Sequence, residues 1–202
     1  NTGGGIYCQQ SNLILKNLII ENNSAIYAGG GINIWDSSSP ELENLIIRNN
    51  SAPYGGGIDL YSANPTFNNL HVYGNQALEY SGGGIDIWNS SIEISNSEIY
   101  DNSAVSFGGG IYIDGSEFSG TNLTVSENTT EFQAGGGLFS ILSTHYILNS
   151  IFWNNSPDGI YDSTETDIII TYSNIQGGWE GEGNIDANPL FCNADSSDFT
   201  LA

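Results

Sequence analysis

Gly-Gly-Gly followed by an aliphatic residue occurs six times in this chain, starting at Gly3, Gly29, Gly55, Gly82, Gly108 and Gly135, with successive spacings of 26, 26, 27, 26 and 27 residues. A period in the twenties points to a solenoid, because a repeat this short cannot bury an apolar face alone and must stack on its neighbours. A second landmark keeps the same register. Each repeat carries an Asn (Asn17, Asn44, Asn69, Asn96, Asn122, Asn149), then a hydrophobic residue three positions on (Ile20, Ile47, Val72, Ile99, Val125, Phe152), then a second Asn three positions later (Asn23, Asn50, Asn75, Asn102, Asn128, Asn155).

The segments between landmarks alternate with period two and are rich in Ile, Val, Leu and aromatic residues, which predicts short strands. After each glycine triplet the alternation turns Ile6/Cys8, Ile32/Ile34, Ile58/Leu60, Ile85/Ile87 and Ile111/Ile113 inward. Equivalent strands of successive coils then run parallel, about 4.8 Å apart. The expected fold is all-β: a right-handed, single-stranded parallel β-helix of about seven coils. It forms one domain over residues 1–202, with an irregular closing segment at 158–202.

Both Asn columns read as corner chemistry. Asn tolerates left-handed geometry, and its amide can bond the equivalent amide one coil away. The second column, Asn23, Asn50, Asn75, Asn102, Asn128 and Asn155, is expected to form a buried amide ladder in which losing one member costs about 1–3 kcal/mol. The glycines allow positive φ and close backbone approach at another corner.

These residues resemble the repeats of the chlamydial polymorphic outer-membrane proteins, Gly-Gly-Ala-Ile and Phe-x-x-Asn. The first reads here as Gly56-Gly57-Ile58 and its equivalents, and the second is relaxed to aliphatic-x-x-Asn, with one literal copy at Phe152-Trp153-Asn154-Asn155. The tail, from Tyr172 to Gly178 and from Gly183 to Phe191, is similar to the segment that closes many secreted bacterial β-helix-repeat proteins. The resemblance implies a right-handed β-helix and export to a cell surface. It implies no single activity, since such proteins serve as adhesins, passengers and carbohydrate-active enzymes.

Composition agrees with export. The chain has 23 acidic residues against two basic ones, Lys16 and Arg48, for a formal charge of −21. Such a surface repels nucleic acid and anionic lipid, and no apolar run reaches membrane-spanning length. A chain that begins at Asn1 without a signal peptide is expected to be a mature or excised product, secreted or displayed on a cell surface. Cys8 sits on an inward position of the first coil and Cys192 beyond the last, about 30 Å apart at the coil rise. A disulfide tolerates Cα separations only up to about 7 Å, so a bond within one chain is excluded; pairing between subunits stays open.

The outward row beside the glycine-adjacent strand is the candidate binding face. An aromatic column, Trp35, Tyr61 and Trp88, runs beside a carboxylate column, Asp59 and Asp86, which Asp114 is expected to continue; Asn33 and Tyr112 are the remaining outward positions. Flat rings beside acceptors suit sugars, and Asp59 and Asp86 are weak candidates to share calcium. A second outward row holds Tyr73, Tyr100 and Trp153, with Glu21 and Arg48 near its start and Ser126 interrupting it. The segments Asp158 to Asp167 and Asn193 to Asp198 read as solvated turns, and His71 and His145 as surface residues.

No acid, base or nucleophile constellation stands out. Asp59 and Asp114, two coils apart, match the roughly 6.5–9.5 Å separation of an inverting hydrolase, yet the motifs of β-helix pectin hydrolases are missing and no catalytic residue is assigned. The expected role is a non-catalytic extracellular module without a resident cofactor, calcium aside. It acts as an adhesin-like scaffold against a glycan, host or matrix surface, or it stacks end to end on itself into a filament, since nothing visible caps the first coil. A polysaccharide lyase or hydrolase, or a glycan-binding module, is the alternative.

Overall fold

The computed structural model of the chain describes residues 3–132, 134–163, 166–194 and 198–201. Its first sheet has seven strands, Ile6–Gln9, Ile32–Trp35, Ile58–Tyr61, Ile85–Trp88, Ile111–Asp114, Leu138–Ile141 and Ile160–Asp162, in that spatial order. Every pair in it is parallel and advances by one repeat. A second sheet of ten strands includes Glu41–Arg48, Thr66–Tyr73, Ser91–Tyr100 and Glu117–Ser126. A short third sheet, Ser51–Ala52, Gln76–Ala77, Ser103–Ala104 and Thr129–Thr130, completes each central coil. The chain is a parallel β-helix, and its seven first-sheet strands span six full turns.

The stacked aliphatic columns fall where the alternation puts them. Ile32, Ile58, Ile85 and Ile111 are register partners and fully buried, and so are Ile47, Val72, Ile99 and Val125. The long strands of the second sheet bend in the middle, at Asn44, Asn69, Asn96 and Asn122, each with φ between 51° and 56°. Asn pays the least among non-glycine residues for that conformation, so the first Asn column is an exposed corner. Asn44, Asn69, Asn122 and Asn149 each donate to the equivalent Asn of the preceding repeat, while Asn96 turns to Asn68, the neighbour of its equivalent Asn69.

The second Asn column is the buried ladder. Asn50, Asn75, Asn102 and Asn128 each donate Nδ2 to the Oδ1 of the next Asn at 3.0 Å and to a strand carbonyl of the preceding coil at 2.8–2.9 Å. Each of those Oδ1 atoms also accepts the backbone N–H of the Asn before it. The glycine triplets exist for the same corner. At the fourth triplet, Gly82 has φ +66°, a Cβ on Gly83 would lie 2.4 Å from two backbone oxygens, and a Cβ on Gly84 would press on the Asn102 amide at 3.1 Å.

Several expectations need correcting. The regular helix does not stop at 158, because Ile160–Asp162, Asp167–Thr171 and Asn174–Ile175 pair in register as a seventh coil. Within the Asp158–Asp167 segment Ile160–Asp162 is therefore strand rather than a solvated turn, and Asp158 accepts the Gly135 N–H at 2.6 Å. Asn193 and Asp198 belong to an antiparallel hairpin, Phe191–Asn193 with Asp198–Leu201; residues 164–165 and 195–197 of these two segments lie outside the described residues.

His145 is not a surface residue. It pairs with inward-facing Phe118, is fully buried, and meets the Ser140 hydroxyl through Nε2. Burial pushes its imidazole down to about 4. His71 is half-buried and sits 2.9 Å from Glu98. The gap at Ser126 in the second outward row is covered too, for Ser126 is fully buried and Phe199 of the terminal hairpin packs on Tyr100 at 5.0 Å. A serine column was not anticipated: Ser90, Ser116 and Ser143 each accept a backbone N–H from the preceding coil.

Cys8 is buried as expected and Cys192 exposed, and both are free. Among the described residues no helix is long and apolar enough to cross a membrane.

Candidate functional site

The outer face of the first sheet is not an open plane. The segments that lead into the glycine triplets, residues 26–28, 53–54 and 79–81, fold over it and form the wall of a groove of about 940 Å³. The positive φ of Gly29, Gly55 and Gly82 is what turns the chain back into the sheet below this wall. Tyr27, Tyr54 and Tyr80 come from the wall, whereas Trp35, Asp59, Tyr61 and Trp88 come from the sheet. Tyr54 and Tyr80 stack at 4.3 Å and 10°, and Trp35 meets Tyr61 at 5.3 Å with a 58° tilt. Trp35 and Tyr61 are 36% and 41% exposed, which leaves ring surface free for a ligand.

The sequence-predicted face is thus split. Trp35, Tyr61 and Trp88 stay together as register partners along the groove. Asp114 does not continue the carboxylate column: it pairs with Trp88, and Tyr112 is the partner of Asp86. Counting residues from the glycines, rather than matching their chemistry, places it correctly. Tyr112 is buried against Phe139 and Trp88, outside the groove, and hydrogen-bonds Asp114. The pairing of Asp59 with Asp114 as hydrolase carboxylates falls with that register.

Asp59 and Asp86 are direct neighbours on adjacent strands, and both are buried, with Asp59 7% exposed and Asp86 not at all. Asn33, expected outward and accessible, is buried beside them and donates to Asp59 at 2.6 Å. Burial, and then the adjacent Asp86 carboxyl, hold Asp59 well above the usual carboxylate range against the pull of the Asn33 amide. Burial pushes Asp86 up to about 7, opposed by the Ser81 hydroxyl, the Trp88 indole and the Ile87 amide. Burial also raises Asp114. Two carboxyls side by side out of water share protons, because both cannot ionise cheaply.

This has a consequence for stability. The folded chain keeps on Asp86 a proton that the unfolded chain releases near 3.8, so the contribution of this group falls as pH rises from about 4 through about 7. Asp59 and Asp114 in neighbouring coils, and Tyr54 and Glu79 from the wall, add no positive charge to offset it. Asp86→Asn is therefore expected to stabilise the protein at pH 8 by on the order of 2 kcal/mol and to change little at pH 4. Urea denaturation at the two pH values checks this; an equal effect at both contradicts it. His145 acts in the opposite sense, since its depressed value costs stability as pH falls from 6.5 towards about 4.

The expected calcium role of Asp59 and Asp86 draws no support from this geometry. Calcium takes about six to eight oxygen ligands, and the groove walls supply rings instead. No group of three or more His, Cys, Asp or Glu able to hold a metal occurs among the described residues. Lys16 and Arg48 stand on the second sheet, each 2.6 Å from a glutamate, Glu43 and Glu21 respectively.

Comparison with curated proteins and with solved structures gives no match. Residues 1–130 match the family model described as the right handed beta helix region. With 130 of its 202 residues in that match and the parallel coils continuing beyond it, the chain belongs to the right-handed β-helix family.

Proposed function

We propose that this β-helix is a non-catalytic, extracellular or cell-surface module that binds carbohydrate chains in the groove between the first sheet and its overlying wall. The observation that carries the reading is the groove itself, about 940 Å³, with six aromatic rings from three consecutive coils and the Asp59 carboxyl at its floor. Sugars present apolar C–H faces and hydroxyl edges, which such rings and carboxyls complement. The likeness to exported surface proteins and the charge of −21 support an extracellular setting.

Non-catalytic action is supported by the position of the acid pair. A glycosidase needs both carboxyls at the scissile bond, whereas Asp86, beside Asp59 on the next strand, is fully buried. Head-to-tail filament growth finds little support at the C-terminal end. There Ile185 donates its N–H to Ser173 and accepts from Ile175 of the last coil, the Tyr172 N–H bonds the Glu182 carbonyl, and Asn184 Oδ1 accepts the Ser173 N–H as the Ser173 hydroxyl accepts the Ser150 N–H.

The test is titration of neutral oligosaccharides against wild type and the double variant Trp35→Ala/Tyr61→Ala. Loss of two exposed ring platforms should weaken binding by about tenfold or more and shift stability by no more than about 0.5 kcal/mol. Unchanged affinity, or release of reducing or unsaturated sugars during the titration, contradicts the proposal.

A further inference from the structure

The polar column below the groove leaves two buried oxygens without a partner. Asn33, Asp59 and Asp86 form one register column across three coils. Asn33 donates its amide to Asp59, while Asn33 Oδ1 and Asp86 Oδ1 are buried with no hydrogen-bond partner. Buried polar groups in a native fold are almost always satisfied; these two oxygens lie out of reach below the groove, and the Asp59 carboxyl between them is the member of the column that lines it and can take a donor from outside the chain.

That donor has a sign. Both long basic side chains are engaged with glutamates on the second sheet, His71 is held there by Glu98, and His145 is inside the helix. Among the described residues no cation reaches the acid column, and Glu79 adds a further carboxylate at the groove wall. A uronic acid or sulfated sugar would add negative charge beside carboxyls that already share protons to avoid ionising together. A hard metal ion would find too few oxygens among the rings. An ammonium group brings three N–H donors and a positive charge, and the faces of Tyr54, Tyr80 and Trp88 favour a cation over them.

We propose that the groove selects glycans bearing free amino groups, a hexosamine polymer with its ammonium on the Asp59 carboxyl and its sugar faces on Trp35 and Tyr61. This rests on the carbohydrate-binding reading and narrows it to one ligand class. The Asn33–Asp59–Asp86 column is then the specificity determinant and the aromatic rings the general platform.

The test is calorimetric titration with three oligosaccharides of equal length: a β-1,4 glucosamine oligomer, its N-acetylated counterpart and a galacturonic acid oligomer. It is run in about 0.15 M salt to screen long-range attraction to the acidic surface, with EDTA and then with calcium. The glucosamine oligomer should bind at least about tenfold tighter than the N-acetylated one. That ratio should fall to near one in Asp59→Asn and in Asp86→Asn, two independent variants in case one folds poorly. It should persist in Glu41→Gln/Glu93→Gln, which removes charge from the outer face of the second sheet. A wild-type ratio of one or less overturns the proposal, as does a ratio lost equally in the Glu41/Glu93 variant, or calcium-dependent preference for the galacturonic acid oligomer. If none of the three binds, the carbohydrate-binding reading falls with it.

Discussion

Gly83→Ala is expected to cost more than about 4 kcal/mol, enough to unfold a protein of ordinary stability. The added Cβ would lie 2.4 Å from the Gly109 carbonyl oxygen of the next coil and 2.4 Å from the Ser103 carbonyl oxygen. Both are backbone atoms fixed by the stacking of coils, so no side chain can swing away, and relief requires separating two coils along their whole contact. Gly115→Ala is the control. It replaces a positive-φ glycine, φ +57°, which Gly83 is not, but its Cβ meets only the Asn89 side chain at 2.9 Å on an exposed corner, and it should cost about 1–2 kcal/mol. Urea denaturation of the two variants gives the comparison. Equal midpoints would show that the triplets serve flexibility rather than close approach.

Asn102→Ala is expected to cost about 3–5 kcal/mol, more than the loss of one ordinary hydrogen bond, because four groups each lose one bond at once. Nδ2 of Asn102 donates to the Val72 carbonyl at 2.9 Å and to Asn128 Oδ1 at 3.0 Å, and its Oδ1 accepts from both nitrogens of Asn75 at 3.0 Å. Water has no route to the site, since Asn75, Asn102 and Asn128 are each no more than 1% exposed. At the end of the ladder Asn23 is half-buried and donates only to Glu21 and Asn50, so Asn23→Ala should cost about 1 kcal/mol. Asn102→Asp keeps the acceptor but loses both donors and buries a charge, and should be no better tolerated than Ala at neutral pH. A melting temperature indifferent to position along the ladder would mean that the amides act singly rather than as a column.

The coil architecture was readable because one physical requirement repeats: glycines where two backbones touch, an amide where a corner must be filled, an aliphatic residue wherever the chain turns inward. Each of these leaves a residue type at a fixed spacing. The groove left no such mark. Its wall comes from Tyr27, Tyr54 and Tyr80, in segments whose length and composition vary from coil to coil. Counting outward positions on the strands alone therefore exposed Asn33, Asp59 and Asp86, which the wall in fact covers. Asp114 and His145 are different cases. Register from the glycines places Asp114 beside Trp88, and register along the second sheet places His145 beside Phe118; in both cases the chemistry of the side chain suggested a location that the spacing contradicts.

The most direct test of the central claim is a crystal structure of the protein with a bound amino-sugar oligosaccharide. The expected result is sugar rings along Trp35 and Tyr61 in the groove, an ammonium within hydrogen-bond reach of Asp59, and an intact glycosidic bond. Sugar density on the outer face of the second sheet with the groove empty, or a cleaved product beside Asp59, would contradict it.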